Sequence, residues 1–447
     1  MATAVQNDAG QIPTSATNLD HATDSRVNSD TEKNEDSLQQ QPQPPAGPPD
    51  GGFFAWLQVA GSFFLYFNSW GVLSAFGVFQ TIYARGDLFV ASPSNISWIG
   101  AIQYSVAMMA GLVAGPIYDR GHMRPLLVIG AFGVVFGHMM LSLCSTFPQV
   151  LLAEGFCIGI GAGCLFVCAI SVLPGYFSSK LGLAIGIAAS GSAFGAIVYS
   201  IAVLHLLKHM SFAWAVRVTG FIVLATLILP LIVMKQRARP AKLRQFFDPT
   251  AFRDVRYLVF VVGTFFASSA LSTINSYISY FDSDNHFTSA DMAFYVVAIL
   301  NATSMFGRII PNFVSDRIGP FNVIAPCSAA TAIACFCAIA VNSQAGMIIV
   351  TLVLGFFSAS FISMPPVCFA SLTENKALIG TRMGMGYSLA GLGYLAGAPA
   401  AGSVLGAVAP LKWNMLWVYG GVMSMAAGLT FAGIRISRTG FKSIAKA

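Results

Sequence analysis

The sequence predicts an all-α membrane protein of twelve spanning helices arranged as two related six-helix halves. Three observations carry that prediction. Charged residues make up 9% of the chain and hydrophobic residues 55%, where a soluble domain carries about 25% charged residues. From Phe53 onward the chain falls into apolar stretches, each long enough to cross a hydrocarbon core of ~30 Å as a helix. The pair Asp119-Arg120 recurs as Asp316-Arg317, 197 positions later, in an equivalent place among those stretches.

The elements follow in order. Residues 1–49 are polar and end on Gln-Pro-Gln-Pro-Pro-Ala-Gly-Pro-Pro. Such a segment buries too little apolar surface to order itself, and is expected to be a disordered cytosolic tail. It has no basic start followed by an apolar centre, so the first span is expected to direct insertion. The first fifty residues hold eight acids against Arg26 and Lys33. The net charge of +6 therefore belongs to the membrane part, where it reports topology rather than nucleic-acid binding.

The first half, 50–234, contains expected spans at 54–83, 96–115, 126–144, 150–173, 183–204 and 212–234. Residues 235–256 hold the densest cluster of basic residues and read as a cytosolic linker. The second half, 257–447, contains spans at 257–281, 292–310, 322–341, 346–369, 378–405 and 415–434, then a short cytosolic tail. With both termini cytosolic, only Arg85, Lys208 and Lys412 fall in outer loops, and the opposite topology would invert this strong asymmetry. The expected location is the plasma membrane, with a vacuolar or other endomembrane as the alternative.

Small residues extend the internal repeat. Gly186, Ala188, Ser190 and Gly195 on the fifth span match Gly384, Gly386, Ser388 and Gly393 on the eleventh at nearly the same offset. Such positions allow helices to approach closely, which suits spans five and eleven lying along the seam between halves.

Enzyme chemistry finds no foothold. The eight cysteines all lie in apolar runs without ligand spacing and read as small buried hydrophobes. His205 and His209 share a helix face but lack a third ligand. No metal, cofactor or catalytic constellation is expected.

Four groups of residues could carry a mechanism. Asp119, Arg120, Asp316 and Arg317 place an acid and a base at helix ends on the cytosolic side. They could pair across the seam as a gate, or simply anchor the topology. Charges inside spans are costly and tend to mark function, and three stand out: Glu154, Arg217 and Arg308. Glu154 and Arg217 lie at similar depth and could form a buried pair; alternatively, Glu154 faces a cavity and carries a coupling proton. The seventh span bears a polar stripe of Ser268, Ser272, Asn275 and Ser279 beside Tyr277, a face that must meet protein or water. Asn68, Trp70 and Ser74 on the first span are expected to form the opposite wall.

The chain from Asp50 onward resembles the major facilitator superfamily. Within it, the resemblance is closest to the monocarboxylate transporter family, particularly its fungal-type members. Pro49-Asp50-Gly51-Gly52-Phe53-Phe54-Ala55-Trp56 is similar to the signature before that family's first span. The run from Tyr176 to Ser192, Tyr-Phe-Ser-Ser-Lys-Leu-Gly-Leu-Ala-Ile-Gly-Ile-Ala-Ala-Ser-Gly-Ser, is similar to the one at its fifth. The resemblance implies a major facilitator fold and alternating-access transport of an organic acid with protons in the lipid bilayer. It also implies that Arg308 is the arginine that holds the substrate carboxylate, a task suited to a guanidinium. Two departures from animal lactate carriers are visible: Ser304 stands where an acid is usual, and Ser74 where the first-span lysine is. They point to a cargo larger than lactate, including a specialised metabolite being exported. A non-transporting nutrient sensor on the same fold is the alternative.

Overall fold

The computed structural model describes residues 48–440, apart from 85, 87, 92, 238–246, 289, 376–377 and 407–410. Nearly all of the expected disordered tail and the centre of the expected basic linker lie outside the described residues. Among those described, twelve helices are long and apolar enough to cross a membrane. They are α1 (Phe53–Gln80), α2 (Asn95–Asp119), α3 (Met123–Leu141), α4 (Phe147–Gly175), α5 (Leu181–His209) and α6 (Phe212–Val233), then α7 (Val255–Asn285), α8 (Tyr295–Ile318), α9 (Phe321–Ala338), α10 (Gln344–Leu372), α11 (Ile379–Leu405) and α12 (Trp413–Thr439). Twelve crossings return the chain to its starting side, here called the terminal face.

Local chemistry sets the helix ends. The side chains of Asp254 and Ser343 accept the backbone N–H of Tyr257 and Gly346 at the starts of α7 and α10, and Thr146 with Gln149 forms a capping box ahead of α4. The helices outrun the apolar windows at the other ends. Asp119 is the last residue of α2, and Asp316 and Arg317 lie in the last turn of α8 rather than beyond it. Gly121 and Gly319, at φ 87° and 98°, then turn the chain, a conformation only glycine adopts without strain.

Three spans are irregular. α1 is interrupted at Ser69 and Ala75, α4 contains a π-helical segment at Leu151–Ile158, and α10 breaks after Ser358 and again after Ser363. Disrupted backbone at membrane depth is tolerated where protein covers it, and Ser69, Ala75 and Ala359 are all buried. Facing outward, Phe132, Phe221, Ile232, Ile333, Ile349 and Leu429 are each more than half exposed, as lipid-facing side chains should be. Cys337 is also exposed, contrary to the expectation that every cysteine is buried; it sits on the outward side of α9, where an apolar thiol meets lipid as readily as protein.

Two long seams join the first six helices to the last six: α2 runs along α11, and α5 runs along α8. The small-residue helices α5 and α11 thus line the seams as expected, each against a helix of the other half. Gly186 shows why the residues must be small, since a Cβ there would stand 2.6 Å from the carbonyl oxygen of Arg308.

Candidate functional site

The centre of the molecule, where the two seams converge, is built from aromatic rings. Trp70 of α1 packs on Tyr104 of α2 at 5.6 Å, on Phe166 of α4 at 5.3 Å and on Tyr394 of α11 at 6.0 Å between ring centroids. Tyr104 and Tyr394 stack face to face across the α2–α11 seam, 4.9 Å apart and 2° from parallel. Phe166 extends the cluster to Tyr387 of α11 and Tyr66 of α1, each at 5.6 Å. Offset and edge contacts of this kind are the favourable geometries for π-systems.

This cluster separates two clefts. One is narrow, opens toward the terminal face and is lined by Met108, Gly111, Phe166, Met383, Gly384 and Tyr387. The other, equally narrow, lies toward the opposite face between Phe76, Gln80, Tyr104, Ser272, Asn275 and Tyr394.

Arg308 reaches into this centre from α8. It is 2% exposed. Its Nη1 donates to the carbonyl oxygen of Ala189 at 3.0 Å and to the hydroxyl of Ser192, both on α5. Its Nε has no hydrogen-bond partner, and the guanidinium is close enough to Tyr66, Tyr104 and Tyr394 to interact with each electrostatically. A buried cation with an unsatisfied N–H is expensive unless something else completes it.

The other expected wall residues divide. Ser74 accepts from the Tyr104 hydroxyl at 3.3 Å, Trp70 forms the centre of the aromatic cluster, and Ser272 and Asn275 line the cleft toward the opposite face. Tyr277 is held between α7 and α11, donating to the carbonyl oxygen of Ala398 at 3.1 Å. Asn68 is not a wall residue. Its Oδ1 accepts from Tyr199 at 2.7 Å and Thr226 at 2.9 Å, while its Nδ2 donates to Phe64 at 2.8 Å. The amide is consumed joining α1 to α5 and α6, on the face of α1 opposite Trp70, since residues two apart on a helix point about 200° apart.

Glu154 lies apart from this site, in the π-helical turn of α4. It is 2% exposed, and its Oε2 accepts from the Tyr83 hydroxyl at 2.5 Å. The buried pair with Arg217 does not form: Arg217 donates from Nε to Ser142 at 3.0 Å and lies over the Trp214 ring. Arg217 lies in the second turn of α6, where its guanidinium meets the hydroxyl of Ser142, just past the end of α3, in place of the acid.

On the terminal face, Asp316 accepts the backbone N–H groups of Gly182 and Leu183, both at 2.9 Å. An acid at the end of α8 thereby caps the start of α5 across the seam, where exposed N–H groups and the helix dipole favour a negative charge. Arg317 stacks over Phe313 at 4.5 Å. Asp119 is buried at the end of α2; Arg120 follows it, exposed, in the turn before α3.

The two sequence signatures meet just beside this cap. Asp50 accepts from the backbone N–H groups of Ser178 and Ser179 at 2.5 and 2.8 Å, and its own N–H donates to Tyr176. Trp56 packs edge-on against Phe177. The N–H of Ser178 in particular holds the Asp50 carboxyl below its ordinary range. Nearby, Arg382 at the start of α11 pairs with Asp248 at 3.0 Å and Asp254 at 2.8 Å, fastening the turn Pro249–Arg253 to that helix.

Reading the sequence missed Tyr66, Tyr104, Phe166, Tyr387 and Tyr394 in the centre, and Tyr83 beside Glu154. Tyrosines inside otherwise apolar spans were the available signal, since a phenol in lipid needs a partner.

Comparison with known proteins agrees with this architecture. The family description Major Facilitator Superfamily matches residues 59–312. The chain is 53% identical over 379 residues to the MFS-type transporter dbaD of Emericella nidulans, covering 85% of each. It is 34% identical to the aspyridones efflux protein apdF of the same organism, over 87% of this chain and 82% of that one. With the fujikurins efflux protein of Gibberella fujikuroi it shares 30% identity over 88% of this chain and 85% of the other. Among solved structures, the transporter FucP in its outward conformation superposes with a TM-score of 0.62 at 16% identity, covering 85% of this chain and 98% of FucP. The twelve-helix fold, its two close-packed seams and these relatives lead to one conclusion: the chain belongs to the Major Facilitator Superfamily and is an integral membrane transporter of small molecules.

Proposed function

We propose that the protein is an alternating-access carrier of an organic acid of the monocarboxylate type, exporting a specialised metabolite with proton coupling, with its terminal face in the cytosol. The observation that carries this reading is Arg308, a buried guanidinium at the meeting of the seams whose Nε is unspent. A carboxylate is the natural complement, because it accepts two parallel N–H bonds and neutralises the charge. Clefts on both sides of the aromatic cluster support access from either face. Two relatives named as efflux proteins support the export direction. The scarcity of Lys and Arg on the opposite face supports the orientation.

In this reading Asp316 and the α5 N-terminus form the terminal-face gate: the cap must break for α5 and α8 to part. Asp119 and Arg120 take the corresponding place at the end of α2, beside α11. Glu154 is the proton site, placed inside the first half and separate from the carboxylate site, so that proton and cargo couple through movement of α1 and α4.

The decisive experiment is flux in proteoliposomes against a panel of labelled organic acids, with and without a pH gradient. Saturable acid flux that R308K abolishes, driven by the gradient, is the expected result. Correctly folded protein without flux of any acid would move the reading to a nutrient sensor.

A further inference from the structure

We infer that the cargo of this site is a planar aromatic carboxylic acid carrying ring hydroxyl groups. This rests on the organic-acid reading above and narrows it.

The argument starts from what the centre leaves unsatisfied. The hydroxyls of Tyr66 and Tyr387 are buried and have no hydrogen-bond partner, and the same is true of Arg308 Nε. Tyr66 is fully buried and Tyr387 is 5% exposed, so bulk solvent does not complete them. The two phenols are close enough to interact with each other electrostatically, and Tyr66 with Arg308 as well. If these rings served packing alone, Phe would fill the same volume without leaving a hydroxyl unpaired, which costs about 1–3 kcal/mol per group. Two phenols and a guanidinium edge together describe a ligand with an anionic end and polar hydroxyl groups.

The aromatic walls specify what joins those ends. Tyr104 and Tyr394 come from opposite halves and stack within 2° of parallel. When the α2–α11 seam opens, that stack must separate, and each half loses a ring contact. A flat ring entering between them restores a stacking partner to both, while an aliphatic acid restores neither. Trp70 and Phe166 complete the apolar surround, and neither carries a charge that would favour a small hydrophilic acid. A molecule the size of lactate could meet Arg308 but has no ring to take up the surfaces of Tyr104 and Tyr394.

The test is isothermal titration of the purified full chain in lipid nanodiscs with 2,4-dihydroxybenzoate, benzoate, cyclohexanecarboxylate and lactate. The expected result is that 2,4-dihydroxybenzoate binds about tenfold more tightly than cyclohexanecarboxylate, the ring of similar size without π-faces. Y394L should bring the benzoate-to-cyclohexanecarboxylate affinity ratio, several-fold in the parent, close to one. Y66F and Y387F, which keep the ring and its packing, should each weaken 2,4-dihydroxybenzoate several-fold and leave benzoate unchanged. Equal affinity for the aromatic and alicyclic acids, with R308K weakening both, overturns the aromatic inference and leaves the acid carrier standing. A hydroxybenzoate preference that survives unchanged in Y66F and Y387F also overturns it. Failure to bind any of the four carboxylates overturns both readings together.

Discussion

Asp316 caps Gly182 across the seam between halves, its carboxylate 2.9 Å from that backbone N–H and equally far from the next one, of Leu183. The two halves are therefore fastened at the terminal face by a carboxylate on one and a helix start on the other. Hydrogen bonds to a charged acceptor contribute roughly 1.5–3 kcal/mol each. D316A is expected to shift the protein at least tenfold toward opening at the terminal face. Distances between spin labels on the terminal-face ends of α5 and α8 measure this; an unchanged distance distribution would remove Asp316 as a gate.

Gly186 tests the same seam by volume instead of charge. A side chain there meets the Arg308 carbonyl at 2.6 Å and Asn312 Cβ at 3.1 Å. Overpacking of this kind costs about 1–3 kcal/mol. If α5 and α8 separate as the proposed cycle requires, G186V should destabilise only the closed arrangement. Exchange flux should fall steeply while the amount of folded protein stays near that of the parent, as judged by size-exclusion chromatography.

Glu154 and Tyr83 form a second, separable unit. E154Q is expected to keep counterflow exchange and lose uptake driven by a pH gradient, because the amide cannot release a proton. Y83F removes the hydroxyl that donates to the carboxylate and should shift the pH dependence of flux without abolishing it. Normal coupling in E154Q would exclude this acid as the proton site.

Asp50 ties the start of α1 to the loop before α5. Its pKa is lowered in the folded protein by the N–H of Ser178, so its contribution to stability is present above the ordinary carboxylate pKa. That contribution is lost as pH falls through the folded value. D50A should therefore melt below the parent at neutral pH, and the gap should narrow as the pH drops below about 4. Thermal unfolding of both proteins across that range checks the sign.

Arg382 is mostly buried between Asp248 and Asp254. Removing it leaves two acids without their counter-charge, a change that costs about 3–5 kcal/mol when a buried pair is broken. R382A should lower the melting temperature by several degrees, and protease cutting near Pro249 should accelerate.

The sequence by itself determined the number of helices and that the fifth and eleventh lie on seams, though not that their partners there are the eighth and the second. These follow from the thickness of a bilayer and from the need of close-packed helices for small residues, both of which act locally on the chain. It also singled out Arg308 and Glu154, because a charge in an apolar span is conspicuous wherever it points. Only the tertiary structure decided where such groups point. Asn68 and Trp70 are two residues apart and so lie on opposite faces of α1, and packing decided that Trp70's face meets the central cluster while Asn68's meets α5 and α6. Glu154 and Arg217 sit at matching depth, yet the π-helical turn directs the acid to Tyr83. Tyr104 and Tyr394 are 290 positions apart in the chain, and their stacking arises where Gly384 and Gly391 of α11 let that helix lie against Gly111, Met108 and Ser105 of α2. Direction and distance between side chains of different helices are properties of packing, which no local pattern of hydrophobicity or charge encodes.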